Sequence, residues 1–345
     1  MQNILYSPER IPAEFVHPLK FMIFNCFWSW ALGEITGNVS QVDRVWTFLP
    51  VIYTGYFTFY PLLDSAPAYI KAAGVRPRVL LMFTLQVCWM LRLSYNTYRR
   101  GLFSLKDEDY RWAVLRQKIP PWLFKVFNLS FIAITQNILL FLLGIPAAAA
   151  LRQPLSANAL GTSDYVLAVA FLITLGLEFV SDNQQFAYQS FKHATDPVEY
   201  KKAQPYIEWP GARLAWTEAD RKRGFVTRGL WAWCRHPNFL CEQTIWFLVA
   251  LFPVLSAPAF TFPPTSLTPL GPIVPAIALS LLFVSSTAFT EAITLSKYPV
   301  EYAAYQERVG MFLPFVTGLK GAWLAYTGRK DKVEAMVWGR RGKQE

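Results

Sequence analysis

LFKVFNLSFIAITQNILLFLLGIPAAAAL, residues Leu123–Leu151, carries one formal charge, Lys125, near its start. A helix crosses the hydrocarbon core of a bilayer in about 20 residues, so this run is long enough to span. Working outward, further apolar runs occur at Leu19–Leu32, Trp46–Leu63 and Val79–Leu93 before it, and at Tyr165–Val180, Phe239–Leu255 and Val274–Phe289 after it. Several are shorter than a full span, which fits tilted or re-entrant segments. The expectation is an all-α polytopic membrane helix bundle of about seven spans, with six to eight as the range. It forms one membrane domain over residues 1–345.

Composition agrees. Of 345 residues, 53% are hydrophobic and only 16% charged, against about 25% charged in soluble domains. The aromatic share of 16% suits belts of Trp and Tyr at both interfaces. The N-terminal MQNILYSPER places Pro, Glu and Arg where a signal peptide needs an apolar core.

Lys and Arg concentrate in three places: seven over Arg99–Lys125, nine over Phe179–Arg235 and nine after Glu291. The connection Arg152–Asp164 has one, and Ser256–Pro272 has none. Positive charge marks cytosolic loops, so the C-terminus is expected in the cytosol. Lys71, Arg76 and Arg78 fall on the opposite side in this count. The net charge of +10 is accounted for by basic loops beside an anionic leaflet, and no nucleic acid is needed. Four cysteines form no CxxC pair and three histidines show no ligand spacing, so no metal site is expected.

Ionisable groups at the ends of membrane helices are costly and mark function. In WMLRLSYNTYRRG, Arg92, Tyr95, Asn96 and Arg99 share one helix face. In LGLEFVSDNQQFAYQ, Glu178, Asp182, Gln185 and Gln189 form a polar line at i, i+4, i+7 and i+11. In GLWAWCRHPNFLCEQ, Pro237 is placed to open a helix. Arg235, His236 and Asn238 surround its start, where free N–H groups favour an anion, and Glu242 follows one turn later. After the last span, Glu291, Thr294 and Tyr298 share a face unless Pro299 ends that helix, and Tyr302, Tyr305 and Arg308 continue at helical spacing up to Pro314-Phe315. That segment is expected to be amphipathic on the cytosolic surface. Convergent polar groups in an apolar wall describe a ligand pocket. Neither GxGxxG nor GxxxxGK[ST] occurs, which leaves out Rossmann and P-loop sites.

At these residues the chain resembles a known superfamily. RHPNFLCEQ, with KYPVEYAAYQERVGMFLPF after the last span, is similar to the C-terminal half of steroid 5-alpha-reductases and sterol reductases. It is more distantly similar to isoprenylcysteine carboxyl methyltransferase. VDRVWTFLPVIY, RLSYNTYRRG, DEDYRWAVLR and EFVSDNQQF extend the likeness, over most of the chain, to a relative known only as a domain of unknown function. The resemblance implies a cofactor-binding half over residues 165–320, approached from the cytosol. It assigns Asn238, Glu242 and Asp182 to the cofactor, puts Glu178 where steroid reductases have Asn, and makes Tyr298 the Tyr near the nicotinamide. Arg92 matches an Arg of the reductases' third span. Two departures count against a steroid substrate: Trp89 replaces the proton-donating Tyr, and Cys241 replaces the Gly of NFLGE.

The function expected on this resemblance is an NADPH-dependent reductase of the endoplasmic reticulum membrane, acting on a double bond of a lipid or sterol-like substrate. Arg92 would stabilise developing charge and Tyr95 donate a proton. Glu178, Asp182, Gln185, Arg235, His236, Asn238, Glu242, Tyr298, Tyr302 and Arg308 would hold the cofactor. The alternatives are a methyltransferase using S-adenosylmethionine and a non-catalytic lipid-binding membrane protein. Arg221–Arg223, Arg228 and Arg235, as phosphate ligands, speak for NADPH. The basic tail RGKQE has a loose likeness to a dibasic retrieval signal, with a chance basic tail as the other reading.

Overall fold

A computed structural model describes residues 11–339; the N-terminal MQNILYSPER and the RGKQE tail lie outside them. The described residues are helical, with no strand among them. In chain order the principal helices are α1 (Ala13–Thr36), α2 (Leu49–Phe59), α3 (Pro77–Arg99), α4 (Pro121–Leu151), α5 (Thr162–His193) and α6 (Pro237–Leu255). They are followed by α7 (Val274–Lys297), α8 (Pro299–Arg308), α9 (Pro314–Tyr326) and α10 (Lys330–Trp338). Among the described residues, four helical segments are long and apolar enough to cross a membrane: α4, α5, α6 and Thr268–Lys297, which contains α7.

The chain divides into two compact units. The first runs to Ala170 and resumes over Phe247–Ala278. Its core is set by fully buried Phe57, Tyr60, Met82, Trp89 and Leu140. Small residues let its helices approach: a Cβ at Gly144 would lie 2.8 Å from the Tyr53 Cβ. Side-chain hydrogen bonds then fix neighbours, as in other apolar bundles. Thr54 on α2 donates to Gln86 on α3 (2.8 Å), and Asn137 on α4 donates to Ser29 on α1 (3.2 Å).

The decisive run is less regular than its composition suggests. Residues Asn128–Thr135 of α4 are wound as a π-helix, and Ile145–Leu151 forms a separate final turn after Gly144. Pro146 has no N–H to continue the ladder, which is why the helix is interrupted there. Of the three cations that disturbed the charge count, Arg78 is bound by Asp164 through two contacts of 2.8 and 2.9 Å. Lys71 lies 3.8 Å from Asp64.

The second unit holds Phe171–Trp246 and the chain from Leu279 onward. Pro299 both ends α7 and opens α8, because a proline serves at a first helical position. Tyr298 therefore sits between the two helices rather than on the face of α7. The segment before Phe315 does not lie free on a surface: α8 buries Tyr302, Ala304 and Tyr305 in a cluster with Phe225, Val309, Val333 and Val337.

Candidate functional site

The polar line of α5 is one continuous helical face, since the helix runs 32 residues without a break. Glu178 and Asp182 are buried on it. Asn238, at the second position of α6, donates its Nδ2 to Asp182 Oδ1 at 3.3 Å. Two residues 56 apart in sequence are thereby joined. The Asn238 Oδ1 and the Gln185 Oε1 are buried and have no hydrogen-bond partner among the described residues. Buried acceptors of this kind cost about 1–3 kcal/mol each when left unsatisfied. One turn along α6, Glu242 Oε1 accepts from the Trp246 indole at 2.8 Å.

A second cluster is fully matched. Glu291 on α7 receives Arg235 Nε and Nη2 at 2.7 and 3.0 Å, a bidentate pair. His236 Nε2 lies 2.8 Å from its Oε1, and Gln306 Nε2 donates to its Oε2 at 2.9 Å. Arg235 Nη1 also donates to the carbonyls of Val309 and, at 3.4 Å, Gln306. Backbone contacts tighten the same joint: Arg235 N donates to Gly310 O and His236 N to Met311 O, at 2.8 and 3.1 Å. Burial pushes the His236 imidazole below its usual range, although Glu291 works against it. The Arg235 and His236 expected at an anion site are thus held by a carboxylate of the protein itself.

The same holds for the other arginines. Arg223 and Arg228 meet Asp220 at 2.7 and 3.1 Å, and Arg221 lies 3.6 Å from Glu218. Burial alone would raise the Asp220 carboxyl, but hydrogen bonds from Thr217 and Arg223 and the Arg228 charge hold it below the usual carboxylate range. Arg308 donates to Glu334 at 2.8 Å and to the Thr317 carbonyl at 3.0 Å, so it fastens α8 to α9 and α10.

Tyr298 is different. Its hydroxyl accepts from Lys192 Nζ at 3.2 Å, and the same amine donates to Gly224 O at 2.9 Å. Gly224 has φ +86°, and a Cβ there would fall 2.1 Å from the phenol ring. Only glycine gives the ring this seat. Tyr302 is buried beside Glu291, and burial first, then that carboxylate, pushes its hydroxyl well above the ordinary range.

Arg92 and Tyr95 belong to the first unit, on α3. Arg92 is buried, whereas Tyr95 is 40% exposed with the Arg99 guanidinium 5.1 Å from its ring centre. Trp89, at the position of the expected phenol, is fully buried.

Two residues outside the expected cofactor set organise the second unit. Gln184 accepts from Leu230 N and donates to Gly211 O, both at 2.9 Å, and Gly229 at φ +64° leaves it room. Its spacing on α5 carried no signal. Glu291 did carry one: a lone carboxylate at the end of an apolar span wants a cation.

A profile of the family described as "Protein of unknown function (DUF1295)" matches residues 29–309. The chain belongs to this family. Every candidate residue from Arg92 to Arg308 lies within the matched region. An uncharacterized protein of Schizosaccharomyces pombe is 34% identical over 300 residues, covering 87% of this chain and 79% of that one. No solved structure matches the chain.

Proposed function

We propose that this DUF1295 protein is a membrane-embedded NADPH-dependent reductase, related to the steroid and sterol reductases, that acts on a double bond of a lipid or sterol-like substrate. The observation that carries the reading is the Asp182–Asn238 pair with the unsatisfied Asn238 and Gln185 oxygens beside it. Acceptors aimed at nothing in the protein suit the ribose hydroxyls and carboxamide of a nicotinamide nucleotide. Asp182, Gln185, Asn238 and Glu242 would bind it, with Glu178 next along α5. The Arg235–Glu291–His236 joint would hold the start of α6 in position. Bound NADPH would supply hydride equivalents.

The chain must then supply a proton. Arg92 and Tyr95 lie in the first unit and the cofactor residues in the second; within the second, Tyr298 is equipped to give it. A donor leaves a phenolate behind, and Lys192 at 3.2 Å is placed to stabilise it. Tyr95, exposed and capped by Arg99, fits an interfacial belt.

A second reading is a methyltransferase using S-adenosylmethionine. It is favoured by the pairing of Arg221, Arg223, Arg228 and Arg235 with carboxylates, which weakens the case for a phosphate-rich cofactor. Purified protein titrated with each compound separates the two. NADPH is expected to bind, and Asn238→Ala to weaken it roughly 10- to 150-fold, the loss of a hydrogen bond worth about 1.5–3 kcal/mol. Binding of S-adenosylmethionine alone would transfer the site to the second reading, and binding of neither would make the protein a non-catalytic lipid binder.

Adding α1, the apolar run Trp46–Leu63 that contains α2, and α3 to the four long apolar segments gives the seven spans of this proposal. The C-terminus then faces the cytosol from the endoplasmic reticulum. A C-terminal tag digested by protease in sealed microsomes is the expected result, and a protected tag reverses the orientation.

A further inference from the structure

Arg76 immediately precedes α3 and is only 8% exposed, yet its Nε and Nη1 have no hydrogen-bond partner among the described residues. It lines a cavity of about 390 Å³ in the first unit, together with Arg152, Gln153, Leu151, Tyr69 and Leu155. Asp164 is bound on both oxygens by Arg78, and Glu14 is taken by Arg152. Among the described residues no carboxylate pairs with Arg76, and its Nε and Nη1 stay without an acceptor.

A buried guanidinium without a counter-ion is costly. Burial and the nearby Arg78 both disfavour its charged form, but arginine does not deprotonate under physiological conditions. The remaining way to relieve the cost is an external anion. The planar donors of arginine suit an oxyanion with several acceptor oxygens, phosphate above all.

The walls say what carries that phosphate. The cavity lies beside Leu151, where the 31-residue apolar segment ends. Its rim exposes Tyr69 by 69% and Leu155 by 61%. An apolar rim at the end of a membrane span lies where acyl chains meet headgroups, and tyrosine is enriched at that level. There a guanidinium can meet the phosphate oxygens of a headgroup in bidentate geometry. We propose that Arg76, with Arg152, forms a binding site for the phosphate of an anionic phospholipid headgroup, whose chains run along Tyr69 and Leu155.

Native mass spectrometry of the full-length protein in detergent tests this, with phosphatidylglycerol, phosphatidylcholine and inorganic phosphate as probes. Phosphatidylglycerol is expected to be retained in preference to phosphatidylcholine. Arg76→Gln should weaken it about tenfold or more. Leu155→Glu, which places a negative charge on the exposed rim without touching the core, should weaken it as well and serves if Arg76→Gln does not fold. Binding of inorganic phosphate without the lipid, lost in either variant, would keep the oxyanion site but overturn the lipid assignment. Unchanged lipid binding in Leu155→Glu and in any folded Arg76→Gln protein, or equal retention of the two lipids, would overturn the proposal.

Discussion

The Glu291 cluster and the Asp182–Asn238 pair both lie in the second unit, and both look polar and functional in the sequence. They differ in what their atoms already have. Around Glu291, one carboxylate receives a bidentate guanidinium, an imidazole and an amide, and the remaining guanidinium N–H reaches carbonyls. Around Asn238, the amide donates to Asp182, and among the described residues two buried oxygens, Asn238 Oδ1 and Gln185 Oε1, have no hydrogen-bond partner. A cluster whose hydrogen bonds close on themselves is a joint. One that leaves acceptors open in a buried place is the ground for the cofactor site proposed above.

The largest effect should come from breaking the joint. Glu291→Ala strips Arg235 of its counter-ion, and loss of one partner of a buried pair costs about 3–5 kcal/mol. Thermal unfolding and monodisperse yield in detergent are expected to collapse together. A variant as stable as the parent would make the cluster something other than structural.

The next effect sharpens the other side of the comparison. Tyr298→Phe keeps the ring seated on Gly224 and removes the hydroxyl held by Lys192. Single-turnover NADPH oxidation should slow by about 10²–10⁴-fold, the usual contribution of a positioned acid, while nucleotide affinity stays near that of the parent. Tyr95→Phe is expected to turn over normally. The reverse pattern would return the proton to Tyr95.

The smallest effect is a slope in pH. His236 takes a proton less readily when folded than at its ordinary value of 6.5. As pH falls through 6.5, the unfolded chain binds a proton that the folded chain refuses, so stability declines towards the lower folded value. Above 6.5 this contribution is fully present. Melting temperatures between pH 7.5 and pH 5 (roughly the range where histidine titrates) should fall with acid, and His236→Gln should flatten that part of the curve. An equally steep decline in the variant would assign the slope to other groups.

Much of the framework is legible in the sequence. The polar line from Glu178 to Gln185 depends on one helix staying regular, and an apolar background with 3.6-residue spacing is enough to establish that. Pro237 announced the start of α6 for an equally local reason. Pro299, a helix end by the sequence, does open α8, and Tyr298 stands between two helices rather than on the face of α7. The segment before Phe315 is amphipathic as expected, but Tyr302 and Tyr305 find their cover in Phe225 and α10, which lie far away in sequence.

Composition and periodicity by themselves determined that this is a helical chain with several segments fit to enter a membrane, and which polar residues share a helix face. These follow from backbone geometry and hydrophobicity, which act over a few turns. Only the tertiary structure decided which charges are spent. Arg235 finds Glu291 56 residues away, Arg78 finds Asp164 86 residues away, and Arg76 finds neither carboxylate open. The sign of a charge is written in the sequence, but its desolvation and its partner depend on long-range packing, and those two terms separate a joint from a binding site.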